Sequence, residues 1–399
     1  MLRFVPPAGA PLKITQILRA LRHAVTDDGH TEDFLKSFAS RLRVRHVLAV
    51  SSGRAALLVI LRALHRLRPE RDIVAVPAYT CFSVAASVVR AGLRIYPVDI
   101  DPETLEPDNS EILAIPADRL LCIITCNLFG FVNDVLRIRQ IARAKGTFLV
   151  DDAAQALGAS RGSLLAGTMG DVGLYSFGRG KALPAGEGGL IVTDSDKIAD
   201  AVGREVEALP TPSTAHTAHL LLQVLAYAVF LRPRLYWIPN SLPFLKLGIT
   251  EFKPNFPLCR LPALSRALVS ELLGRLAEIN QVRIRHADKL ARAFADHPDF
   301  RIPQPAQASQ PIYIRFPVIA RDEATRVRAL ARLRAAGIGA SAFYPTAICD
   351  IAGIEKYMVQ DEFHRPRAEE LARRLFTLPT HPFVSQADLD RIIEALRAL

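Results

Sequence analysis

The chain has 399 residues, half of them hydrophobic, which is enough to bury a full core and excludes a disordered segment or a minimal module. Its formal net charge of +10 comes from arginines spread along helix-like segments, not from dense basic runs. That excludes a nucleic-acid tail and points to an acidic partner, a phosphorylated substrate or an anionic membrane surface. The N-terminal MLRFVPPAGAPLKI has no apolar signal core, and the five cysteines, Cys81, Cys122, Cys126, Cys259 and Cys349, are scattered. CIITC matches neither a zinc knuckle nor a redox pair, so reduced thiols, a cytoplasmic location and no metal are expected.

From about residue 46 to 194, β-branched runs alternate with amphipathic stretches. HVLAV precedes SSGRAALLVILRAL, and DIVAVP precedes SVAASVVRAG; RIYPVDI, LLCIITC, a helix near Asp134 to Lys145, TFLVDD, VGLYSF and GLIVTD follow. Continuous apolar strands separated by helices imply an α/β fold with a mainly parallel sheet covered on both faces, whose ligands sit beyond the carboxyl ends of the strands. An apolar insertion at about 209–257 comes next. Its run Ala218 to Leu231 is too short to span a bilayer. Two readings fit: a buried helix or dimer contact, and an amphipathic element over 218–247 lying in a membrane interface with Tyr236 and Trp237 at headgroup level. The remainder reads as a long helix and a small α+β domain, giving an expected division into residues 1–255 and 256–399.

Three strand ends carry chemistry. Ser51, Ser52 and Gly53 follow a strand and open a helix, where free N–H groups and the helix dipole make either an anion seat or an ordinary cap. Asp151 and Asp152 end an apolar strand, where a carboxylate is costly to desolvate without a cation or several donors. One reading is a cap for the AAQAL turn; the other aims Asp152 at a protonated cofactor ring, with Gln155 beside it. In SFGRGKALPAGEGG the glycine-rich loop lacks the spacing of a phosphate-binding P-loop, because Tyr175 stands where its first glycine belongs and Ala182 follows Lys181. A lysine after a strand, flanked by glycines that let a ring approach, suits a Schiff base to an aldehyde.

SSGRAAL, VPAYTCFSVAASVVRAGLRIYPVDID, VDDAAQALGAS, GTMGDVGLYSFGRGKALPAGEGGLIVTD and LPTHP, in this order, resemble the DegT-type (DegT/DnrJ/StrS) sugar aminotransferase family. The resemblance runs from FVPPAG to the C-terminal helix, interrupted by the insertion. It implies the aspartate-aminotransferase fold (fold type I), with a seven-stranded-type sheet, pyridoxal 5′-phosphate as cofactor, and a homodimer with shared active sites. By it, Lys181 matches the Schiff-base lysine that also moves the proton, and Asp152 the carboxylate that keeps the pyridine nitrogen protonated. Gln155 matches the glutamine beside the ring, and Ser176 the hydroxyl that holds the phosphate together with the Gly53 loop. The threonine usual after Ser-Gly is Arg54, whose N–H and charge would serve the same phosphate.

Other positions depart from the family pattern. The stacking aromatic falls at Cys81, next to Phe82; Leu258, Cys259 and Arg260 replace Asn-Tyr-Arg; and Phe343 and Cys349 stand where histidines are common. The implied reaction moves an amino group from an amino-acid donor, glutamate, to a keto-sugar, nucleotide-linked, in polysaccharide, glycolipid or secondary-metabolite synthesis. A lysine at position 181 separates the chain from the family's dehydratase branch, which has histidine there. Two alternatives remain: a membrane-associated transaminase of a lipid-linked or hydrophobic ketone, and a non-catalytic protein that keeps the cofactor fold for binding.

Overall fold

A computed structural model of the chain describes residues 3–26, 30–245, 248, 250–360, 363–397 and 399. Of the insertion expected at about 209–257, residues 246, 247 and 249 lie outside the described residues. Two helices come first, α1 (Ile14–Val25) and α2 (His30–Leu42). The alternation follows as β1 (His46–Val50), α3 (Gly53–Leu67), β2 (Ile73–Pro77), α4 (Phe82–Arg90), β3 (Arg94–Val98) and α5 (Asn109–Ala114). It continues with β4 (Leu120–Cys126), α6 (Val135–Ala144) and β5 (Phe148–Asp152). After the short β6 (Ser160–Arg161) and β7 (Leu164–Leu165) come β8 (Val172–Ser176), β9 (Gly189–Thr193) and α7 (Asp196–Glu207). Side-chain oxygens of Ser52, Asp108, Asp134 and Ser195 cap α3, α5, α6 and α7, each worth about 1 kcal/mol over alanine.

The large sheet has seven strands in the order β1-β9-β8-β5-β4-β2-β3. Only β9 runs against the rest, pairing antiparallel with both β1 and β8, so the expected mainly parallel sheet is what forms. Side chains alternate across it. Val74 and Val76 of β2 join one core with α3, α4 and α7, while Ile73 and Ala75 join another with α1, α2 and α6. Both faces are therefore covered, and β4 is buried at every position. The same alternation sends Asp151 and Asp152 to opposite faces.

The insertion forms α8 (Thr214–Phe230) and α9 (Trp237–Asn240). Leu220, Val224 and Ala228, four apart, make a buried stripe, and Leu220 and Val224 pack on Gly186, whose φ of +82° and lack of a Cβ permit the approach. The Tyr227 hydroxyl accepts from Ala10 N–H at 3.0 Å and donates to Ala10 C=O at 3.2 Å. α8 thus clamps both the N-terminal arm and the loop that carries Lys181. Tyr236, placed at a membrane surface in one of the sequence readings, is buried instead, because its ring stacks on Phe4 with centroids 6.1 Å apart. No helix among the described residues is long and apolar enough to cross a membrane.

α10 (Ala263–Leu273) packs Leu264, Leu268 and Leu272 into the core of the large sheet. α11 (Leu276–Phe294) then leads to β10 (Phe300–Arg301), β11 (Ser309–Gln310), β12 (Phe316–Ala320), α12 (Glu323–Ala335), α13 (Pro366–Arg374), β13 (Leu375–Leu378) and α14 (Gln386–Arg397). β10, β12 and β13 form an antiparallel sheet with its own core, which takes in α11 from Ala287 onward. β11 pairs with β6 and so ties this part to the large sheet.

His381 of LPTHP locks the N-terminal arm in place. It is fully buried, its Nε2–H donates to Pro6 C=O at 2.7 Å, and burial pushes its pKa down to about 4. The folded chain holds this ring neutral while the unfolded chain protonates it near 6.5, so its contribution is full above pH 6.5 and is lost as pH falls toward 4. Asp151, raised to about 6 by burial, works with the opposite sign in the same window. His381→Asn isolates the histidine. The stability difference between wild type and variant, from urea midpoints, should shrink by about 3 kcal/mol between pH 7 and pH 4; a constant difference would exclude a buried neutral imidazole.

Candidate active site

The cleft is built where β1, β5 and β8 end. At β1 the Ser52 hydroxyl accepts from Ala55 N–H at 3.1 Å, which leaves the first-turn N–H groups of Gly53 and Arg54 for an anion. Ser51 N–H donates to Cys259 C=O at 3.0 Å, and the Ser51 hydroxyl accepts from Cys259 N–H at 3.3 Å, fixing the turn. A Cβ at position 53 would lie 2.7 Å from the Ser176 Cβ, so only glycine lets the end of β8 meet the start of α3. This brings Gly53 and Ser176 together, while the Arg54 guanidinium lies over the Phe256 ring, 5.2 Å from its centroid. Gly53→Ala should raise the dissociation constant for pyridoxal phosphate about tenfold, equivalent to ~1.4 kcal/mol, in an absorbance titration; an unchanged constant would remove this seat from the cofactor site.

The two aspartates at the end of β5 divide the work. Asp151 is fully buried, and its carboxylate accepts from Asn127 Nδ2–H at 2.7 Å, Gly167 N–H at 2.8 Å and Met169 N–H at 3.2 Å. It holds the β5 turn in place. Asp152 is half-buried; one oxygen takes Ala154 N–H at 2.8 Å, and the other lies 4.0 Å from Cys126 Sγ. The bond from Ala154 N–H is the one the capping reading calls for, and it engages one oxygen of the two. Burial raises its pKa, while the Ala154 N–H and the charge of Lys181 hold it down.

Lys181 lies in the loop between β8 and β9, its N–H donating to Gly178 C=O at 3.0 Å. Burial, helped by the Arg315 guanidinium, pushes its pKa below the ordinary lysine value against the pull of Cys81 and Asp152. A lysine so desolvated spends more of its time as the nucleophilic free amine. Gln155 is buried and engaged at both ends, its oxygen by Phe129 N–H at 3.2 Å and its amide by the Tyr344 hydroxyl at 3.0 Å. Its amide therefore positions Tyr344.

Phe82 turns into the core as α4 begins, while Cys81, its Sγ accepting from Ser83 Oγ at 2.9 Å, stays within the field of Lys181. A thiol, not an aromatic ring, borders the lysine at this position. Arg260 caps Glu207 C=O at 2.7 Å on the surface. Phe343 packs on Phe129 at 5.0 Å and on Tyr344 at 4.2 Å, whereas Cys349 sits in a short turn where burial pushes its thiol up to about 12. Sequence reasoning missed Asn127, Tyr344 and Arg315. For Arg315 there was a signal, a single arginine inside the otherwise apolar PIYIRFPVIA.

A lysine and a carboxylate within each other's field at the ends of neighbouring parallel strands, beside the start of a helix, fit an α/β enzyme of the pyridoxal-phosphate fold type I. The fold is shared with solved structures: the GDP-4-keto-6-deoxy-D-mannose-3-dehydratase of E. coli with bound hydrated PLP has a TM-score of 0.79 at 22% identity, covering 99% of this chain and 100% of that one. The sequence profile of the DegT/DnrJ/EryC1/StrS aminotransferase family matches residues 11–212 and 257–397. The chain belongs to that family, whose members depend on pyridoxal phosphate. Its unmatched interval contains α8 and α9. The chain is similar to the GDP-perosamine synthase of Caulobacter vibrioides, 33% identical over 42% of this chain and 44% of that protein, so it spans under half the length of that relative. It is also similar to the UDP-N-acetyl-3-dehydro-alpha-D-glucosamine 3-aminotransferase of Acidithiobacillus ferrooxidans, 28% identical over 89% of this chain and 84% of that protein.

Proposed function

We propose that the chain is a pyridoxal-phosphate-dependent aminotransferase that moves an amino group from glutamate to a ketone on a nucleotide-linked sugar, for polysaccharide, glycolipid or secondary-metabolite synthesis. The reaction balances as amino acid plus keto-sugar giving 2-oxo acid plus amino-sugar. The observation that carries it is the placement of Asp152, at the end of β5, and Lys181, in the loop after β8, close enough for the charge of each to act on the other. The cofactor, when bound, supplies an electron sink for the carbanion left by proton removal. Lys181 holds it covalently and moves the proton, Asp152 keeps its ring nitrogen charged, and Gly53, Arg54 and Ser176 bind its phosphate. The relatives named for amination of nucleotide-linked sugars support the acceptor class.

The protein acts as a homodimer in the cytoplasm on this reading, supported by the family resemblance and by the apolar side chains Leu222 and Trp237 left exposed on α8 and α9. Light scattering that gives a monomer mass at working concentration would refute the dimer. For the reaction, purified protein with pyridoxal phosphate and glutamate is offered a panel of keto-sugar nucleotides, and products are read by mass spectrometry. An amino-sugar nucleotide formed together with 2-oxoglutarate is the expected result. A cofactor absorbance band that no amino acid alters would instead mark a non-catalytic binder.

A further inference from the structure

The large apolar side chains that this molecule leaves in water are not spread evenly. Leu242, Phe244 and Leu245 stand 38%, 73% and 42% exposed, side by side near the end of the insertion. They lie between the segments 11–212 and 257–397 that the family profile matches, in the part of the chain that the family does not share. Their exposure is built in. Leu242 N–H donates to Pro239 C=O at 3.2 Å and Leu245 N–H to Leu242 C=O at 3.1 Å, so backbone bonds tie the turn to α9. Single exposed apolar residues are ordinary on a protein surface, whereas three together on a fixed turn mark a contact. The surrounding charge says of what kind. Residues 208–250 contain no aspartate or glutamate and carry the cations Arg232, Arg234 and Lys246. Arg232 and Arg234, between α8 and α9, are exposed and pair with no carboxylate among the described residues. Pro233 between them is pinned, its C=O accepting from Phe4 N–H at 2.8 Å.

We propose that the turn 242–245 docks the protein on an anionic phospholipid surface. The leucines and the phenylalanine enter the boundary between headgroups and acyl chains, while Arg232 and Arg234 meet the lipid phosphates. Guanidinium suits that role, because its fork of donors matches phosphate oxygens. The absence of acids serves the same end, since a carboxylate at that level would be repelled by phosphate and costly to desolvate. The contact is peripheral, as no helix among the described residues is long and apolar enough to cross a membrane. It also differs from the membrane reading of the sequence, which put Tyr236 at the lipid; that ring is stacked on Phe4, and the side chains that face lipid come after it. A second copy of the chain is the competing occupant. A stable protein interface covers about 800 Å² on each partner, more than this turn offers, and two surfaces of the same charge repel. Leu222 and Trp237, assigned to the dimer above, lie outside the turn. The docking does not depend on which reaction the enzyme catalyses.

The test spins the full-length holoenzyme with vesicles of phosphatidylcholine alone and of phosphatidylcholine mixed with phosphatidylglycerol, and reads a partition coefficient from the pelleted fraction. Wild type should bind the anionic vesicles about 30-fold more tightly than the neutral ones, a factor of about five for each of the two arginines. High salt should remove that excess. Phe244→Ser combined with Leu245→Ser should weaken binding to anionic vesicles by at least about tenfold, through lost apolar area. Arg232→Gln combined with Arg234→Gln should weaken it about 30-fold. All four side chains are exposed, so circular dichroism and the mass from light scattering should equal those of wild type. Wild-type protein that stays in the supernatant with anionic vesicles would overturn the proposal. So would equal binding to both kinds of vesicle, or binding that neither pair of substitutions weakens. A lower mass for the Phe244→Ser, Leu245→Ser variant would give the turn to a second copy of the chain instead.

Discussion

Lys181→Ala should lower kcat by at least about 10⁴-fold, the upper end of what one positioned acid–base group contributes, because the variant loses both the covalent attachment and the proton carrier. The fold should survive. The side chain packs into a cleft and caps no element, and its removal abolishes the cost of holding an ammonium in a desolvated site. Circular dichroism should therefore match the wild type, with a thermal midpoint equal or higher. Borohydride reduction of wild-type holoenzyme followed by peptide mapping should place the label on Lys181 and leave the variant unlabelled, although its Gly53 and Ser176 seat still binds free cofactor. A label on any other lysine, or turnover retained by the variant, would end the assignment.

The second large effect is expected at Asp152. Asp152→Asn keeps the size of the side chain and the hydrogen bond from Ala154 N–H at 2.8 Å, yet replaces a charge by a dipole. Removing one partner of a buried charge pair costs roughly 2–5 kcal/mol. At 1.36 kcal/mol per decade this is about 400-fold in kcat near the middle of that range. Labelling of Lys181 by borohydride should persist, which separates the variant from a misfolded one. Loss of the Asp152 charge also removes a pull that raises the Lys181 pKa, so the acid limb of the rate profile with pH should move to lower pH. Asp151→Asn should behave differently: it leaves an NH2 facing the donors of Gly167 and Met169, so stability falls along with activity. Equal phenotypes for the two aspartates would mean that the division of roles along β5 is wrong.

Much of this was legible in the order of residues. Strands buried on both faces read as continuous apolar runs, and HVLAV, DIVAVP, LLCIITC and GLIVTD announce themselves in that way. Strand-end chemistry is also local, since a β-strand delivers its last residues to one edge of the sheet. Lys181, Asp152, Ser176 and Gly53 are therefore visible without coordinates. The reversed direction of β9 was not visible, because an apolar strand looks the same in either sense and its direction comes from pairing with β1 and β8.

The periodicity of α8 was equally silent. An almost wholly apolar run shows no face, and only the approach of Gly186 and of the N-terminal arm decides that Leu220 and Val224 point inward while Leu222 is left 66% exposed. Tyr236 looked like an interfacial tyrosine until Phe4, far away in sequence, covered it. Local composition by itself determined the sheet, the lysine loop and the carboxylate opposite it, since each depends on neighbours a few positions away. Contacts such as Gln155 with Tyr344, 189 residues apart, and the placement of Arg315 beside Lys181 were decided by tertiary structure, because chain folding alone brings such distant side chains into one desolvated space where their charges act on each other.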